Sequence, residues 1–338
     1  VYDIDRNIPP FTETDRLSAI NPYGTTKLVT EFLLKDMVAH KWFSAVSLRY
    51  FNPIWAHHSW KLGENPKGIP TNLLPYLLRV AKKEIEKIIS QVEGKVCVNF
   101  YDLNKNDGFS INGSEKVLSA SMIKLLILAE LMKKISEDKF SLSDTIMMAN
   151  FMKTEGDGVL KELNTGHHFT LKELATLMII VSDNQATNIL IDFLGMENIN
   201  LLGKELGLRE TFLERRMMDA EARKNGYDNY TSADNISLLL KLIYQEKLVN
   251  KEASQLMLDI LLKQQQGERL QRYLPTDIKI AHKCGDLDNL ENDGGIIWFE
   301  DKVYILVVLT SRMSNLQCKQ TIGKISKFVY DKMEESLE

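Results

Sequence analysis

The chain has 338 residues, of which 44% are hydrophobic and 26% are charged, and its formal net charge is −4. These values predict a globular protein of two domains, or of one large domain with an appendage. Basic residues form no stripe that would bind nucleic acid, and no run of about 18 apolar residues predicts a membrane span. Neither the three cysteines nor the six histidines form a group with the spacing of a metal site.

The chain starts with Val1–Arg6, which has neither an initiator methionine nor the basic-then-apolar pattern of a signal peptide. A helix is predicted to begin at Asn21–Lys27 and a strand to follow at Ser44–Phe51. Tyr23 and Lys27 are one helical turn apart, so they share a face. A lysine beside a phenol lowers the phenol's pKa and helps it act as an acid or base. The same spacing also fits a helix start with both side chains exposed.

Three segments of this region, Asn21–Lys27, Arg49–Pro53 and Gly63–Tyr76, together resemble UDP-galactose (UDP-glucose) 4-epimerase, a relative of the short-chain dehydrogenases. The resemblance covers about residues 1–82. It implies a piece of an α/β doubly wound, Rossmann-type domain.

In this epimerase-like fragment, the resemblance matches Tyr23 and Lys27 to the catalytic pair and places Asn52 and Asn72 near the nucleotide sugar. The glycine-rich dinucleotide fingerprint and its acidic ribose partner do not occur in the sequence. NAD is therefore implied as a cofactor only by the resemblance, and we expect the fragment to have no catalysis of its own. For the remainder of the chain we expect no cofactor and no metal.

From about residue 83 to residue 338 the pattern changes. The predicted elements are an amphipathic helix at 82–89, a strand at 95–103, a returning strand from 109, a mostly helical middle, strands at 278–283, 294–299 and 303–310, and a final helix at 316–333. Strands at both ends with helices between them predict an α+β fold, an antiparallel sheet closed by the two termini with an inserted helical lobe. A cleft between lobe and sheet is a natural place for an active site.

Ser121 and Lys124 lie three residues apart at the start of an apolar helical run, Leu125–Leu131. Serine is a weak nucleophile until a nearby base takes its proton, and a lysine can serve when burial or a second cation lowers its pKa. Free N–H groups in the first turn of a helix can hold an oxyanion. The same spacing at Ser136 and Lys139 predicts only a solvated helix end, so one such pair identifies no site.

Two later polar stretches, Ser182-Asp183-Asn184 and Lys283-Cys284-Gly285, give the pair a context. In this order the three stretches resemble the Ser-x-x-Lys, Ser-Asp-Asn and Lys-Thr-Gly signature of the class A β-lactamases and penicillin-binding proteins. The resemblance spans about residues 83–338. It implies the β-lactamase/transpeptidase-like fold and a serine hydrolase that forms an acyl-enzyme.

The resemblance also implies roles for these residues. Ser121 is the expected nucleophile, Lys124 its proton acceptor, and Ser182 the relay of a proton to the leaving nitrogen. Lys283 supplies positive field for a substrate carboxylate and helps to lower the pKa of Lys124. The expected substrate-binding residues are Asn184, Gly285 and Asp286, and the backbone N–H groups of Ser121 and Asp286 are expected to hold the oxyanion. Asp183 is expected to be a structural hydrogen-bond acceptor.

Other positions depart from this family. Class A enzymes use a loop glutamate to activate the water that frees the acyl-enzyme, and none is evident in the corresponding stretch, 213–221. If Arg215 matches the family's loop arginine, Met217 or Met218 stands near the position of that base. Asp219 and Glu221 are then candidate substitute bases.

Carboxylate recognition departs as well. Asp286 brings negative charge close to where an antibiotic carboxylate would bind. Glu291 stands where many class A enzymes carry an arginine, and Cys284 replaces a hydroxyl donor by a weaker thiol. The sequence therefore predicts complete acylation machinery with impaired deacylation and impaired carboxylate recognition.

We accordingly expect a monomeric serine hydrolase for a small β-lactam or cell-wall-peptide-like substrate, slow on classical β-lactams. One alternative is a penicillin-binding or sensor-like protein that is acylated at Ser121 but not turned over. A less favoured alternative is nucleotide-sugar epimerase activity from residues 1–82. The hydrolase family is normally exported, yet an epimerase-like piece stands where a signal peptide is expected, which indicates a gene fusion or two joined reading frames.

Overall fold

A computed structural model of the chain describes residues 12, 17–19, 22–40, 44–47 and 73–335. The chain divides into two compact units, Val1–Glu64 and Asn65–Glu338, which we describe separately. The domain boundary predicted at residue 82 falls within a helix of the second unit and stays a prediction. None of the helices in these ranges combines the length and the apolar character needed to cross a bilayer.

The described part of the first unit consists mainly of helix α1 (Pro22–Ala39). Proline suits the start of a helix because its missing N–H would have no partner there. No residue of α1 is buried, and Phe32 and Leu33 are more than half exposed. The predicted strand is wrong for Ser44–Ser47, because these exposed residues have no paired neighbour among the described residues, and a strand needs such a partner.

The second unit contains the elements predicted for the C-terminal part of the chain. Its strands are β1 (Lys95–Asp102), β2 (Asp107–Ile111), β3 (Val117–Leu118), β4 (Thr145–Met147), β5 (His168–Thr170), β6 (Tyr230–Thr231), β7 (Lys279–Leu287), β8 (Leu290–Phe299) and β9 (Lys302–Ser311). Its α-helices are α2 (Leu73–Ser90), α3 (Lys124–Ser136), α4 (Leu171–Ile180), α5 (Asn184–Leu194), α6 (Met196–Glu205), α7 (Ala220–Lys224), α8 (Ala233–Tyr244), α9 (Lys251–Leu261) and α10 (Asn315–Glu335). These bounds confirm strands at both ends and a mostly helical middle.

Five strands form one antiparallel sheet in the order β2-β1-β9-β8-β7. Strand β1 pairs with β9 along its whole length, from Lys95 opposite Ser311 to Asp102 opposite Tyr304. The first and last strands of the sheet in sequence are therefore neighbours at its centre. This arrangement confirms the predicted α+β fold, with a sheet closed by the two ends of the domain and a helical lobe inserted between them.

The sheet separates two apolar cores. Successive residues of a strand face opposite sides, so in β9 Ile305, Val307 and Leu309 face the helical lobe, whereas Leu306 and Val308 pack towards α2 and α10. Helix α3 is buried over most of its length because helices surround it. The lobe thus holds the start of α3 firmly beside the sheet.

Candidate active site

Ser121 lies in a 3-10 turn, Ala120–Ile123, that leads directly into α3. The sequence predicts an α-helix here, and the structure has the tighter turn at its start. Ala120 has φ = +46°, a left-handed conformation that is uncommon for residues other than glycine. Asn292 of β8 donates hydrogen bonds to Leu118 O at 3.0 Å and to Ser119 O at 3.3 Å. The backbone before the serine is therefore attached to the sheet.

The amine of Lys124 lies at the centre of a buried polar cluster. Its Nζ atom is 2.7 Å from Ser182 O, 3.0 Å from Ser182 Oγ and 2.9 Å from Asn184 Oδ1. The hydroxyl of Ser121 is not among these acceptors, although it belongs to the adjoining turn. The structure thus joins the first two motifs through Lys124 rather than through Ser121.

The hydroxyl of Ser182 bridges two lysines, because its Oγ atom is also 3.2 Å from Lys283 Nζ. Burial lowers the pKa of Lys124 well below the usual value for lysine, and the charge of Lys283 lowers it further. Burial likewise lowers the pKa of Lys283. An uncharged Lys124 has a lone pair, so it can accept a proton.

Asp183 has a structural position between these groups. It caps the N-terminus of α5 by accepting from Ala186 N at 2.8 Å. Its other carboxylate oxygen accepts from Val159 N at 2.6 Å and from Leu160 N at 2.8 Å. A buried carboxylate with three backbone donors is fully engaged, so Asp183 fixes the loop before α4 against the start of α5.

Strand β7 carries the third motif past the serine. A Cβ atom at Gly285 would lie 2.5 Å from Ser121 N, which is closer than real Cβ atoms approach, and in tight contact with Ala120 Cβ at 3.1 Å. Glycine is therefore required for β7 to run beside the nucleophile's turn. Asp286, the next residue, then reaches the same site as Ser121.

A cavity of about 200 Å³ opens onto Ser121. Ser121, Asn184 and Asp286 line it, whereas Lys124, Ser182 and Lys283 are at most 1% exposed. The other lining residues are Ala120, Gly156, Asp157, Arg215, Met217, Met218, Asp228, Asn229 and Leu287. A ligand in the cavity would contact Ser121 directly, whereas Lys124 and Lys283 are buried and do not line the cavity.

The loop from Leu213 to Asp219 forms one wall of the cavity. Arg215 anchors it, because its Nε and Nη2 atoms are each 2.8 Å from Asp228 Oδ1 in a buried ion pair. Asn188 of α5 accepts from Met217 N at 2.7 Å and donates to Met217 O at 3.1 Å. Met217 is therefore the loop residue held at the cavity, and its thioether cannot take a proton from water.

The two candidate substitute bases lie elsewhere. Asp219 caps α7 by accepting from Ala222 N at 2.9 Å, and Glu221 is exposed in the first turn of that helix. Neither residue lines the cavity. The structure thus does not bring either carboxylate to Ser121.

Asp157, which the sequence analysis missed, also lines the cavity. Its carbonyl accepts from Asn184 N at 2.9 Å. The neighbouring Gly156 and Gly158 have φ of +87° and +112°, and a Cβ at Gly158 would overlap the Asp183 carboxylate. The stretch Gly-Asp-Gly was the available signal, since glycines on both sides of an acid indicate a special backbone conformation.

Arg269 was also missed, because it precedes β7 in an irregular segment with no motif. The residue is 4% exposed. Nε lies 2.5 Å from Glu291 Oε2, and Nη2 lies 2.8 Å from Asp286 Oδ1. Asp286 is therefore paired with a buried cation that does not line the cavity.

The epimerase-like pair lies in the first unit. Tyr23 and Lys27 lie one turn apart on α1, and Lys27 Nζ is 5.1 Å from the centroid of the Tyr23 ring. Tyr23 is 72% exposed. Asn52 and Asn72 lie outside the described residues.

The N-terminal residues 1–103 match the family model of the NAD dependent epimerase/dehydratase family. The UDP-glucose 4-epimerase of Bifidobacterium longum subsp. longum is 47% identical over 89 residues, which are 26% of this chain and 26% of that protein. The enzyme of the same name from Bacillus subtilis (strain 168) is 49% identical over 80 residues, 23% of this chain and 24% of that protein. The chain thus spans about a quarter of the length of these curated relatives.

The solved structures that resemble the chain cover its C-terminal part. A β-lactamase from Sphaerobacter thermophilus DSM 20745 has a TM-score of 0.68 and 28% identity, covering 75% of this chain and 95% of its own. PBP-A has a TM-score of 0.71 and 25% identity, covering 76% and 97%. The extended-spectrum β-lactamase TLA-1, at 21% identity and a TM-score of 0.71 over 76% and 99%, shows the fold alone.

The family model described as the β-lactamase enzyme family matches residues 80–333, which include the three motifs and the whole five-stranded sheet. The same residues carry the Ser121 cavity and the buried lysines behind it. This chain belongs to the β-lactamase enzyme family as a serine hydrolase-like protein, preceded by a fragment of the epimerase family.

Proposed function

We propose that this protein forms an acyl-enzyme at Ser121 with a β-lactam or a cell-wall-peptide-like amide. The observation that carries the proposal is the hydroxyl of Ser182 held between Lys124 Nζ at 3.0 Å and Lys283 Nζ at 3.2 Å, buried beside the cavity that Ser121 lines. This arrangement supplies a nucleophile, a base with a lowered pKa and a proton relay within one site.

Acylation begins when Ser121 Oγ attacks the carbonyl carbon of a substrate in the cavity. The proton of the hydroxyl passes to the uncharged amine of Lys124 as the bond forms. The backbone N–H groups of Ser121 and Asp286 stabilise the oxyanion. The absence of a side chain at Gly285 supports this role, because it permits the close approach of β7 to the serine.

The leaving nitrogen then needs a proton, and in this proposal Ser182 delivers it. Lys124 restores the proton to Ser182 Oγ across their 3.0 Å contact. Asn184 accepts from Lys124 through Oδ1. Its Nδ2 atom makes a long contact of 3.4 Å to Glu155 O, so it can donate a stronger hydrogen bond to the carbonyl oxygen of the substrate amide.

Release of the acyl group is the slow step in this proposal. Hydrolysis of an acyl-enzyme needs a base that activates water, and the loop residue held at the cavity is Met217. The same observation favours a second candidate function, a penicillin-binding protein that is acylated and not turned over. The similarity to PBP-A, for which an acyl-enzyme complex with penicillin G has been solved in a mutant, supports that candidate.

The test mixes the purified full-length chain with a fluorescent penicillin and, in parallel, with a chromogenic cephalosporin. We expect covalent label on Ser121 with little or no steady colour, and no label on Ser121→Ala. Lasting label without colour supports the penicillin-binding alternative, and steady colour supports a turning-over hydrolase. Labelling of Ser121→Ala at the rate of the unchanged chain, or no label on either, overturns the proposal.

A further inference from the structure

The side of the cavity formed by β7 contains a salt-bridge cluster that the proposed acylation chemistry does not use. The guanidinium of Arg269 is the cation paired with Asp286, and it contacts a second carboxylate, that of Glu291. Glu291 lies 2.5 Å from it and Asp286 lies 2.8 Å from it. Two carboxylates already compensate the charge of this buried guanidinium, so it does not bind an external anion.

The side of the cavity formed by β7 carries an uncompensated negative charge. Glu291 is 2% exposed at its side chain and neutralises Arg269 by itself, so the charge of Asp286 is in excess. Lys319 is 4.0 Å from Glu291, but it lies closer to Glu268, at 2.5 Å. The net charge of the cluster is therefore negative, because it contains two cations, Arg269 and Lys319, and three carboxylates, Asp286, Glu268 and Glu291.

Asp286 brings that excess charge to the substrate. Its side chain is 43% exposed and lines the Ser121 cavity, whereas Arg269 is 5% exposed at its side chain and is absent from the lining. Asp157 and Asp228 line the cavity as well, and Arg215, the cation in the lining, is paired with Asp228. Lys283, which was expected to attract a carboxylate, is fully buried and absent from the lining. A substrate carboxylate near Asp286 would therefore meet repulsion from Asp286 and no free guanidinium.

We propose that Asp286 is the specificity-determining residue of this site: it occupies Arg269 as an internal carboxylate and selects acyl donors that carry no anionic group beside the attacked carbonyl. The substrate class is thus a neutral or cationic amide or ester. This inference rests on the proposed acylation of Ser121, and it names the substrate class for that reaction.

The experiment compares one reactive ring in two charge states, benzylpenicillin and its uncharged methyl ester. The rate constant for acylation of the full-length chain is measured by mass spectrometry for each compound. We expect the ester to react about tenfold faster or more, because a like charge at a partly exposed site acts across a few ångströms. Asp286→Asn keeps the shape of the side chain and is expected to reduce the ester-to-acid ratio by about tenfold.

Two variants serve as controls. Asp286→Glu keeps the charge and is expected to keep a preference for the ester. Asp288→Asn removes the same charge from an exposed position on the same hairpin, outside the Ser121 cavity, and is expected to leave the ratio unchanged. A general weakening of surface charge would change the ratio in both asparagine variants, so equal effects overturn the proposal.

The failure of this inference differs from the failure of the proposed function. If the acid and the ester acylate Ser121 at equal rates, and Asp286→Asn leaves their ratio unchanged, acylation stands and the role of Asp286 is overturned. If neither compound acylates the protein and a neutral fluorophosphonate also leaves Ser121 unlabelled, the proposed function is overturned and this inference with it.

Discussion

Replacing Gly285 by alanine tests whether the close approach of β7 to Ser121 is needed for acylation. The new Cβ atom would lie 2.5 Å from Ser121 N, while ordinary contact begins at 3.4 Å, so the strand and the turn must separate by about 0.9 Å. A misplacement of about 1 Å at a reacting centre can reduce a rate by about 100-fold. We therefore expect Gly285→Ala to lower the rate constant for acylation by about two orders of magnitude.

The assay measures that rate constant with a fluorescent penicillin and, separately, with a neutral fluorophosphonate. Gly294→Ala is the matched control. Gly294 lies opposite Lys283 on β8, and a Cβ there would meet side-chain atoms of Ile236, Met122 and Val307 at 3.1–3.2 Å. Both variants add one methyl group to the sheet, so both lose some stability, on the order of 1–3 kcal/mol. Acylation of Gly285→Ala at the rate of Gly294→Ala would refute the reasoning.

Three further predictions concern the loop, the base and the ion pair. Met217→Glu places a carboxylate on the residue that Asn188 holds at the cavity, so release of the acyl group should accelerate by about 100-fold. A label lifetime equal to that of the unchanged chain would contradict this. Acylation needs uncharged Lys124, whose pKa is lowered by burial, so the acylation rate should be lost as pH falls through a midpoint well below 10.5. Lys283→Met should shift this midpoint upwards, because the charge of Lys283 also lowers the pKa of Lys124. A midpoint near 10.5 in the unchanged chain would count against Lys124 as the base. Asp228→Ala leaves Arg215 buried without its partner, so denaturant unfolding should reveal a loss of about 3–5 kcal/mol, whereas a loss under about 0.5 kcal/mol would show that the pair does not anchor the loop.

The parts of the fold that depend on local periodicity were predictable. The continuous apolar run in β9, rich in valine and isoleucine, and the apolar run after Ser121 identify a strand and a helix without knowledge of their partners. Thr170 and Glu173 form a capping box at the start of α4, and such a motif can be read from the sequence because its two members lie within four residues of each other. The resemblance to the class A β-lactamases and penicillin-binding proteins then made the three motifs, in their order along the chain, recognisable as one site.

The parts of the site that depend on distant contacts were not predictable in the same way. Arg269 meets Asp286 and Glu291 only after the chain has turned into β7 and β8. The direction of Lys124 towards Ser182, rather than towards Ser121, follows from packing that one turn of helix does not specify. The strand predicted at Ser44 had suitable residues, but among the described residues it has no partner.

The pairing of β1 with β9 has a consequence for how the protein is made. Strand β1 needs β9 beside it, and Lys95 pairs with Ser311 near the other end of the chain. During synthesis, the buried residues Val96 and Val98 cannot pair with β9 until almost the whole domain has left the ribosome. Such distant pairing makes folding slow. Ribosome-bound chains that end before β9 should therefore be sensitive to protease, and protection should appear only once β9 has emerged.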